Sequence, residues 1–344
     1  MSQTREVTYP GKPIDNIDGI QLDAVDADAA KQFPNASCHI VPVIFDQNGD
    51  ALVQLNSISF RDGKLKGTAG GTIEADESIK QAGLREAHEE NPALPINDKL
   101  TNFGWELDVL DKVTQKPKFV TFSVASFDTT KTYSQDELNL ILQRHNASDE
   151  AAAGLLKLFE ENKLDTLSQK MESYQKAAQE AKNEFPVLPL DYLANCKNKL
   201  EAFQRDPLEQ NKKAALEEIR IKTEFNRRGF IPLKTLQEAC TLQLAIDQKI
   251  VENIEKPKFT VFAANDTAGK AFPLFGGNVE TIGGFINSEK FIQALNLAQK
   301  SVLQSTAKVA HLVGQVTTSP VISRPKSPAN ESQQPGPKQS LKLS

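Results

Sequence analysis

A block of helical sequence interrupts the strand-like parts of this chain. Between about Ser134 and Ala215 most residues are Glu, Lys, Gln, Leu and Ala, and apolar residues recur at helical spacing. Proline ends or kinks a helix because it lacks the N–H group and clashes with the preceding turn. The block therefore predicts three or four helices rather than one coiled coil, with breaks at Pro186, Pro189 and Pro207.

The part of the chain before the block has the pattern of an α/β fold. The runs CHIVPVIF and ALVQL flank Asn48-Gly49, a dipeptide typical of two-residue hairpin turns, and predict two antiparallel strands. A loop rich in glycine and lysine, FRDGKLKGTAGG, follows, and then a helix from about Glu77 to Glu90 that Asn91-Pro92 should end. NFGWELDVL and KFVTFSVASF predict two further strands. Residues 1–37 carry no motif and are interpreted as an N-terminal extension.

Strand-like sequence resumes after the block. EIRIKTEF and RRGFIPL predict strands, KTLQEACTLQLAIDQKIVENI predicts a helix, and KFTVFAAN predicts another strand. A last amphipathic helix is predicted after Asn287-Ser288, where a capping residue precedes an apolar stripe. Beyond about Gly314 the chain is rich in Ser, Pro, Gln and Lys, and its apolar surface is too small to offset the entropy cost of ordering. We expect a disordered C-terminal tail over 314–344.

Composition excludes several classes of protein. Among 344 residues, 40 Lys and Arg stand against 45 Asp and Glu, the net charge is −5, and 39% of the residues are hydrophobic. These values are typical of globular proteins, so they exclude a wholly disordered chain and argue against an extended nucleic-acid surface. The polar N-terminus and the lack of any run of about 20 apolar residues predict a protein with no membrane partner.

The three cysteines, Cys38, Cys196 and Cys240, lie far apart and show no C-x-x-C spacing. They predict reduced thiols in a core, and hence a cytoplasmic protein, while a secretion signal within the C-terminal tail stays open. The four histidines show no metal-ligand spacing either.

Carboxylates cluster on the helix predicted before the block. Glu86, Glu89 and Glu90 lie at i, i+3 and i+4, so they share one face within a single turn. Like charges at this spacing repel, which favours a divalent cation between them; Mg²⁺ takes carboxylate oxygens together with substrate phosphate oxygens. Arg85 can pair with Glu77 through its planar fork. A solvated acidic helix face is the other interpretation of the E-x-x-E-E run taken alone.

The spacing of these residues resembles the Nudix box, the pattern G-x5-E-x7-R-E-U-x-E-E-x-G-U of the Nudix hydrolase family, in which U is a bulky aliphatic residue. The leading glycine and the charged positions all match in register, at Gly71, Glu77, Arg85, Glu86, Glu89 and Glu90. Gly70-Gly71 also lets the backbone approach a ligand where a Cβ would obstruct it. Gly83, inside the helix, costs about 1 kcal/mol relative to alanine. The departures from the pattern remove no carboxylate; they are Ala69, Ala87, Pro92 and Ala93.

The resemblance extends beyond the box. The first two strands resemble the opening hairpin of the family, and GFIPLKTLQEA resembles a later strand end that leads into a helix. The resemblance implies a Nudix α/β/α sandwich with a mixed sheet, built from residues 38–133 and 215–313. Residues 134–214 would then be a helical insertion. The alternative is a Nudix domain that ends near Asp128 and is followed by a separate helical domain.

The resemblance implies Mg²⁺- or Mn²⁺-dependent hydrolysis of a pyrophosphate bond in a nucleoside diphosphate joined to another moiety, as in ADP-ribose, an NDP-sugar or a dinucleoside polyphosphate. In register with the box, Glu86, Glu89 and Glu90 would bind metal together with the Gly71 carbonyl. Arg85 and Glu77 would form an orienting pair. The general base is expected to be Glu89, with Glu224 as the second candidate.

Other assignments keep two interpretations. Arg61, Lys64 and Lys66 would contact substrate phosphates or belong to a solvated loop. Trp105 would stack on a base or belong to the core. The alternative to an enzyme is a Nudix-fold scaffold that senses nucleotides or binds a partner, with the helical insertion as the surface for a homodimer or another protein.

Overall fold

The computed structural model describes residues 6–17, 36–75, 77–97, 100–110, 117–180, 186–263 and 265–317. The chain divides into two compact units, Met1–Thr306 and Ala307–Ser344. All elements below belong to the first unit except the end of the last helix. Within the described ranges, no helix is both long and apolar enough to cross a membrane.

The first unit is a mixed α/β structure built on a sheet of eight strands. The strand order is β1-β6-β7-β2-β3-β4, with β5 paired to β2 and β8 paired to β3. The pairing of β2 with β7 is parallel and the others are antiparallel, so the sheet is mixed as predicted. The strands are β1 (Lys12–Ile14), β2 (Ser37–Phe45), β3 (Ala51–Ile58), β4 (Leu65–Lys66), β5 (Ala69–Thr72), β6 (Gly104–Leu110), β7 (Pro117–Phe127) and β8 (Phe225–Pro232). A separate two-stranded sheet pairs β9 (Lys258–Val261) with β10 (Lys270–Pro273).

Eight helices of the described residues cover or extend this sheet. They are α1 (Ile79–Glu90), α2 (Gln135–Glu160), α3 (Leu164–Glu180), α4 (Leu190–Arg205), α5 (Glu209–Arg220), α6 (Leu233–Asp247), α7 (Gly276–Ile286) and α8 (Glu289–Thr317). Side chains alternate between the faces of a strand, and β2 uses both faces. Val41 and Val43 pack in a core with α6, α7 and α8, whereas Cys38 and Ile40 pack in a core with α1. Helices therefore cover both faces of the central strand.

The predicted hairpin is confirmed. β2 and β3 pair in register Ile44 with Leu52, and Gly49 takes a positive φ of 82° that favours glycine. The carboxylate of Asp46 accepts hydrogen bonds from the backbone N–H groups of Asn48 at 2.8 Å and Asp50 at 2.9 Å. This turn fixes the register of the strand pair.

The helical block contains four helices, and α3 starts after a break that involves no proline. Helices α2 to α5 share a hydrophobic core of their own, which includes Leu155, Leu167 and Leu193. The strand predicted for EIRIKTEF is wrong over most of its length, since α5 runs to Arg220 and a 3₁₀ turn follows. Ala215 and Ile219, four residues apart, extend the apolar face of α5 into the core of the block, and this burial outweighs the strand-like alternation.

Three further boundaries differ from the predictions. The N-terminal extension contains a strand, because β1 pairs with β6. Helix α6 ends at Asp247, well before the predicted end. Helix α8 continues to Thr317, so the tail predicted from Gly314 begins too early; its remaining residues, 318–344, lie outside the described part of the chain. The sequence did not predict helix α7.

Candidate functional site

The acidic residues of the box lie on a well-capped helix. The Oγ of Ser78 accepts a hydrogen bond from Gln81 N at 3.2 Å, and Gln81 Oε1 accepts one from Ser78 N at 2.8 Å. This capping box fixes the start of α1. Gly83 explains how the helix sits on the sheet, because a Cβ there would lie 3.2 Å from both Cys38 Sγ and Val124 Cγ2. The glycine that weakens the isolated helix thus allows close packing.

Arg85 is the centre of a hydrogen-bond cluster. Its guanidinium donates to both carboxylate oxygens of Glu77, at 2.9 and 3.1 Å, and to the carbonyl oxygen of Thr72 at 2.9 Å. The same group donates to Glu86 at 2.7 Å and to Glu89 at 3.3 Å. Burial is the largest single influence and would raise the pKa of Glu77, but the hydrogen bonds from Arg85 and from the Glu74 backbone N–H, together with the arginine charge, hold that pKa below its ordinary value. The structure therefore brings the predicted orienting pair into bidentate contact.

The three glutamates at the end of the helix have different surroundings. The Glu90 side chain is 9% exposed and receives hydrogen bonds from Lys66 Nζ at 3.1 and 3.3 Å. Burial raises the pKa of Glu90 to about 8 despite this lysine, and burial also raises the pKa of Glu86. The Glu89 side chain is 50% exposed. Two largely buried carboxylates, Glu86 and Glu90, and one open carboxylate thus share a single helical turn.

The two glycines before the helix have separate roles. A Cβ on Gly71 would lie 2.4 Å from Oε1 of Glu86, so the carboxylate occupies the space that any side chain would need. A Cβ on Gly70 would lie 2.4 Å from the backbone oxygen of Cys38, which belongs to the paired strand β2. The absence of a side chain at Gly71 therefore leaves space for the Glu86 carboxylate, whereas its absence at Gly70 leaves space for the backbone of strand β2.

The donor set fits a hard divalent cation in its chemistry. Carboxylate and carbonyl oxygens are the ligands that Mg²⁺ and Mn²⁺ take. The described residues contain no group of three or more Asp, Glu, His or Cys side chains already arranged around a metal position. Arg85 and Lys66 instead hold the carboxylates, as the cationic partners that like-charged groups require. A metal ion bound to Glu86, Glu89 and Glu90 would replace Arg85 and Lys66 as the positive charge that these carboxylates require.

The box glutamates face a cleft of about 120 Å³, here called the acidic cleft. Its other wall comes largely from the helical block and the segment after it, including Ser148, Asp149, Lys222 and Glu224. Lys222 Nζ donates a hydrogen bond to the backbone oxygen of Glu89. Glu224, the second candidate for the general base, lies with its carboxylate 4.0 Å from Lys66 Nζ. The helical block thus forms part of the candidate site.

A buried polar network holds the end of helix α1, and the sequence did not predict it. Arg228 donates two hydrogen bonds of 2.8 Å to the two carboxylate oxygens of Asp149. Its remaining Nη1 donates to the carbonyl oxygen of Glu90 at 3.0 Å and to Asn91 Oδ1 at 2.8 Å. The last carbonyls of a helix need such partners, because they have none within the helix. Arg228 thus connects the box helix, the helical block and strand β8.

His145 of helix α2 extends the same network. Its Nε2 accepts a hydrogen bond from Ala93 N at 2.9 Å, so its Nδ1 carries the proton and donates to Gln54 Oε1 at 3.0 Å. Burial lowers the pKa of His145 well below its ordinary value, with the Arg228 charge as a second cause. The only sequence signal near this network is the departure from the box at Pro92, where a pattern glycine is missing.

Comparisons with known proteins give a limited result. No protein-family model matches the chain, and no curated protein matches it. A solved structure, the crystal structure of a MutT/nudix family protein from Enterococcus faecalis, aligns with 20% sequence identity and a TM-score of 0.22. The alignment covers 27% of this chain and 36% of that one.

A second cleft of about 350 Å³, here called the aromatic cleft, adjoins the acidic cleft. Lys66 and Arg61 line it, as does Glu224, which lines the acidic cleft as well. Lys64 is not among the described residues that line either cleft. Two of the three predicted phosphate-binding residues thus line the aromatic cleft, and one of them, Lys66, also contacts Glu90 of the box.

Trp105 lies in neither cleft. Its Nε1 donates a hydrogen bond to the carbonyl oxygen of Pro10 at 2.9 Å, and its ring packs against the core that contains Phe285. This contact favours the core interpretation. A third cavity, of about 830 Å³, is lined by residues such as Asn139, Asn146 and Phe230 and by no residue of the box. The volume of a cavity is not by itself evidence of a catalytic site.

Proposed function

We propose that this chain is a divalent-metal-dependent hydrolase of the Nudix type. The reaction would add water across a P–O–P linkage of a nucleoside diphosphate joined to another moiety, giving two phosphate-bearing products. The observation that carries the proposal is the Arg85 cluster. A single guanidinium contacts Glu77, Glu86 and Glu89, which are residues that the box pattern selects from the sequence.

The residues that would hold Mg²⁺ or Mn²⁺ are Glu86, Glu89 and Glu90, together with the backbone oxygen of Gly71. A bound cation neutralises phosphate charge and lowers the pKa of a coordinated water. The bidentate contact between Arg85 and Glu77 does not involve these carboxylates and can persist when they bind a cation. When Glu86 and Glu89 exchange their contacts with Arg85 for contacts with the cation, the pair of Arg85 and Glu77 would still hold the loop before α1 against the helix.

The general base of the proposed reaction is Glu89, with Glu224 as the second candidate. Glu89 is the most exposed of the three helix glutamates and lines the acidic cleft, so it can reach a water molecule there. Glu224 lies in both clefts. Lys66, between them, would place positive charge beside the substrate phosphates.

The test is hydrolysis by the purified full chain with Mg²⁺ or Mn²⁺, using ADP-ribose, NDP-sugars and dinucleoside polyphosphates. Glu90→Gln is expected to lower kcat by at least about 100-fold while it keeps the shape of the side chain. Glu180→Gln, at an exposed position of helix α3, is the matched control and should leave kcat unchanged. Release of no product from any of these compounds would refute the proposal. Equal turnover of Glu90→Gln and the parent would refute the site.

The partner-binding alternative has less support from the structure. The apolar residues that the block exposes include Leu140, Leu190 and Leu208, and single exposed apolar residues are common on proteins that bind no partner. Helix α2, in contrast, places His145 and Asp149 in the wall of the acidic cleft. The block is therefore proposed as part of the catalytic domain.

A further inference from the structure

The aromatic cleft contains an exposed ring beside the candidate active site. Phe60, in the 3₁₀ turn that follows β3 (Ser59–Arg61), is 65% exposed. Arg61 lies next to it, and the guanidinium carbon is 5.5 Å from the ring centroid of Phe60 and 5.5 Å from that of Phe275. These distances are within the range of cation–π contacts. All three side chains, here called the stacking platform, line the aromatic cleft.

Most polar groups along the cleft already have partners within the protein. Ser37 Oγ and Thr121 Oγ1 share a hydrogen bond of 2.9 Å. Asn278 Oδ1 accepts from Gly67 N at 3.0 Å, and its Nδ2 donates to Thr68 Oγ1 at 2.8 Å. A ligand of this cleft therefore meets apolar and π surface more than free hydrogen-bonding groups.

The charged side chains of the aromatic cleft predict how a ligand would be oriented relative to the box. Lys66 and Glu224 lie at the border with the acidic cleft, and Glu280 is the other carboxylate that lines this cleft. Arg61 carries a positive charge that pairs with no carboxylate of the described residues. A ligand with an anionic end and a planar aromatic end can satisfy both regions. Its anionic end would lie near Lys66, and its planar end would stack against the platform.

We propose that the aromatic cleft binds the base of a nucleotide, which stacks on Phe60, Arg61 and Phe275 while the diphosphate extends to the box glutamates. The inference rests on the proposed function, because that function supplies the diphosphate. Every nucleobase has a π face, so stacking on aromatic side chains or on arginine binds all four bases with little discrimination between them. The platform therefore selects nucleotides over sugar phosphates that lack a base.

The experiment measures binding of reaction products by calorimetry, with the full chain and without turnover. The probes are AMP, GMP, CMP and UMP, and ribose 5-phosphate is the probe without a base. Loss of one stacking contact weakens binding by about 5-fold to 150-fold. Phe60→Ala should weaken nucleotide binding by this factor and leave ribose 5-phosphate unchanged, and Phe60→Tyr should restore the affinity. Phe60 is exposed, so these variants should fold.

Phe262→Ala is the matched control, because Phe262 is a partly exposed phenylalanine that lines the cavity of about 830 Å³ and not the aromatic cleft. It should leave every affinity unchanged. Equal nucleotide affinity of Phe60→Ala and the parent would overturn the inference, and so would equal affinity of the parent for AMP and ribose 5-phosphate. If nucleotides bind through Phe60 but no diphosphate is hydrolysed, the proposed function fails and the base site stands. If diphosphates are hydrolysed but Phe60→Ala binds nucleotides as tightly as the parent, the proposed function stands and the base site fails.

Discussion

The ion pair between Asp149 and Arg228 allows a quantitative test of the buried network. The substitution Asp149→Asn keeps the shape of the side chain and removes its charge. The guanidinium of Arg228, whose side chain is 4% exposed, would keep neutral acceptors at Asn91 and at the Glu90 carbonyl, but it would lose its counter-charge. The perturbation therefore isolates a buried, unpaired cation.

The expected cost follows from this burial. Removal of one partner of a buried ion pair destabilises a protein by about 3–5 kcal/mol, because the other charge stays desolvated. The amide oxygen of the variant can still accept one of the two 2.8 Å hydrogen bonds, so we expect a cost near about 3 kcal/mol. Domains are stable by about 5–15 kcal/mol, so the variant should remain folded at 25 °C.

The assay is equilibrium unfolding in urea, which gives the free energy of unfolding from the midpoint and the slope. Arg228→Met and the double variant complete a double-mutant cycle. Without Arg228, the Asp149 carboxyl can bind a proton, because burial already raises its pKa. The double variant should therefore be destabilised by about 2 kcal/mol less than the sum of the single variants.

Glu180→Gln is the control for the change from acid to amide. Its ion pair with Lys176 spans 4.0 Å, and both side chains are more than two-thirds exposed, at 68% and 78%. Such surface pairs contribute less than about 1 kcal/mol. A cost below about 1 kcal/mol for Asp149→Asn, or strict additivity in the cycle, would refute the reasoning about the network.

Two further predictions concern glycines and pH. Gly71→Ala should lower kcat while the melting temperature stays close to that of the parent, because the new Cβ displaces only the flexible end of Glu86. Gly70→Ala should lower the melting temperature, since its Cβ meets the backbone oxygen of Cys38. Equal melting temperatures for the two variants would contradict the separate roles of the two glycines. The depressed pKa of His145 means that the unfolded chain binds more protons than the folded chain below about pH 6.5, so stability is lost as the pH falls. His145→Gln should flatten the fall in unfolding free energy between pH 6.5 and 5 by up to about 1.4 kcal/mol per pH unit, and an unchanged slope would contradict it.

Local patterns predicted the elements whose signals are themselves local. Asn48-Gly49 predicted the hairpin because glycine supplies the positive φ that the turn between Phe45 and Ala51 requires. The end of α1 at Glu90 followed from the Asn91-Pro92 sequence. The prediction of a strand for EIRIKTEF failed because alternation in a short run does not reveal a core formed by distant helices. Helix α7 was missed because its glycines argue against a helix until tertiary packing outweighs them.

The sequence by itself determined which carboxylates lie together, because residues at i, i+3 and i+4 of one helix share a face in any tertiary setting. It also determined that Arg85 can reach Glu77. Only the tertiary structure decided that Glu90 is buried against Lys66, and that Arg228 holds the end of the helix through a contact 138 residues away in sequence. The reason is physical: helical spacing is a local property of the backbone, whereas burial, charge pairing and the walls of a cleft depend on chain segments that meet only when the whole fold forms.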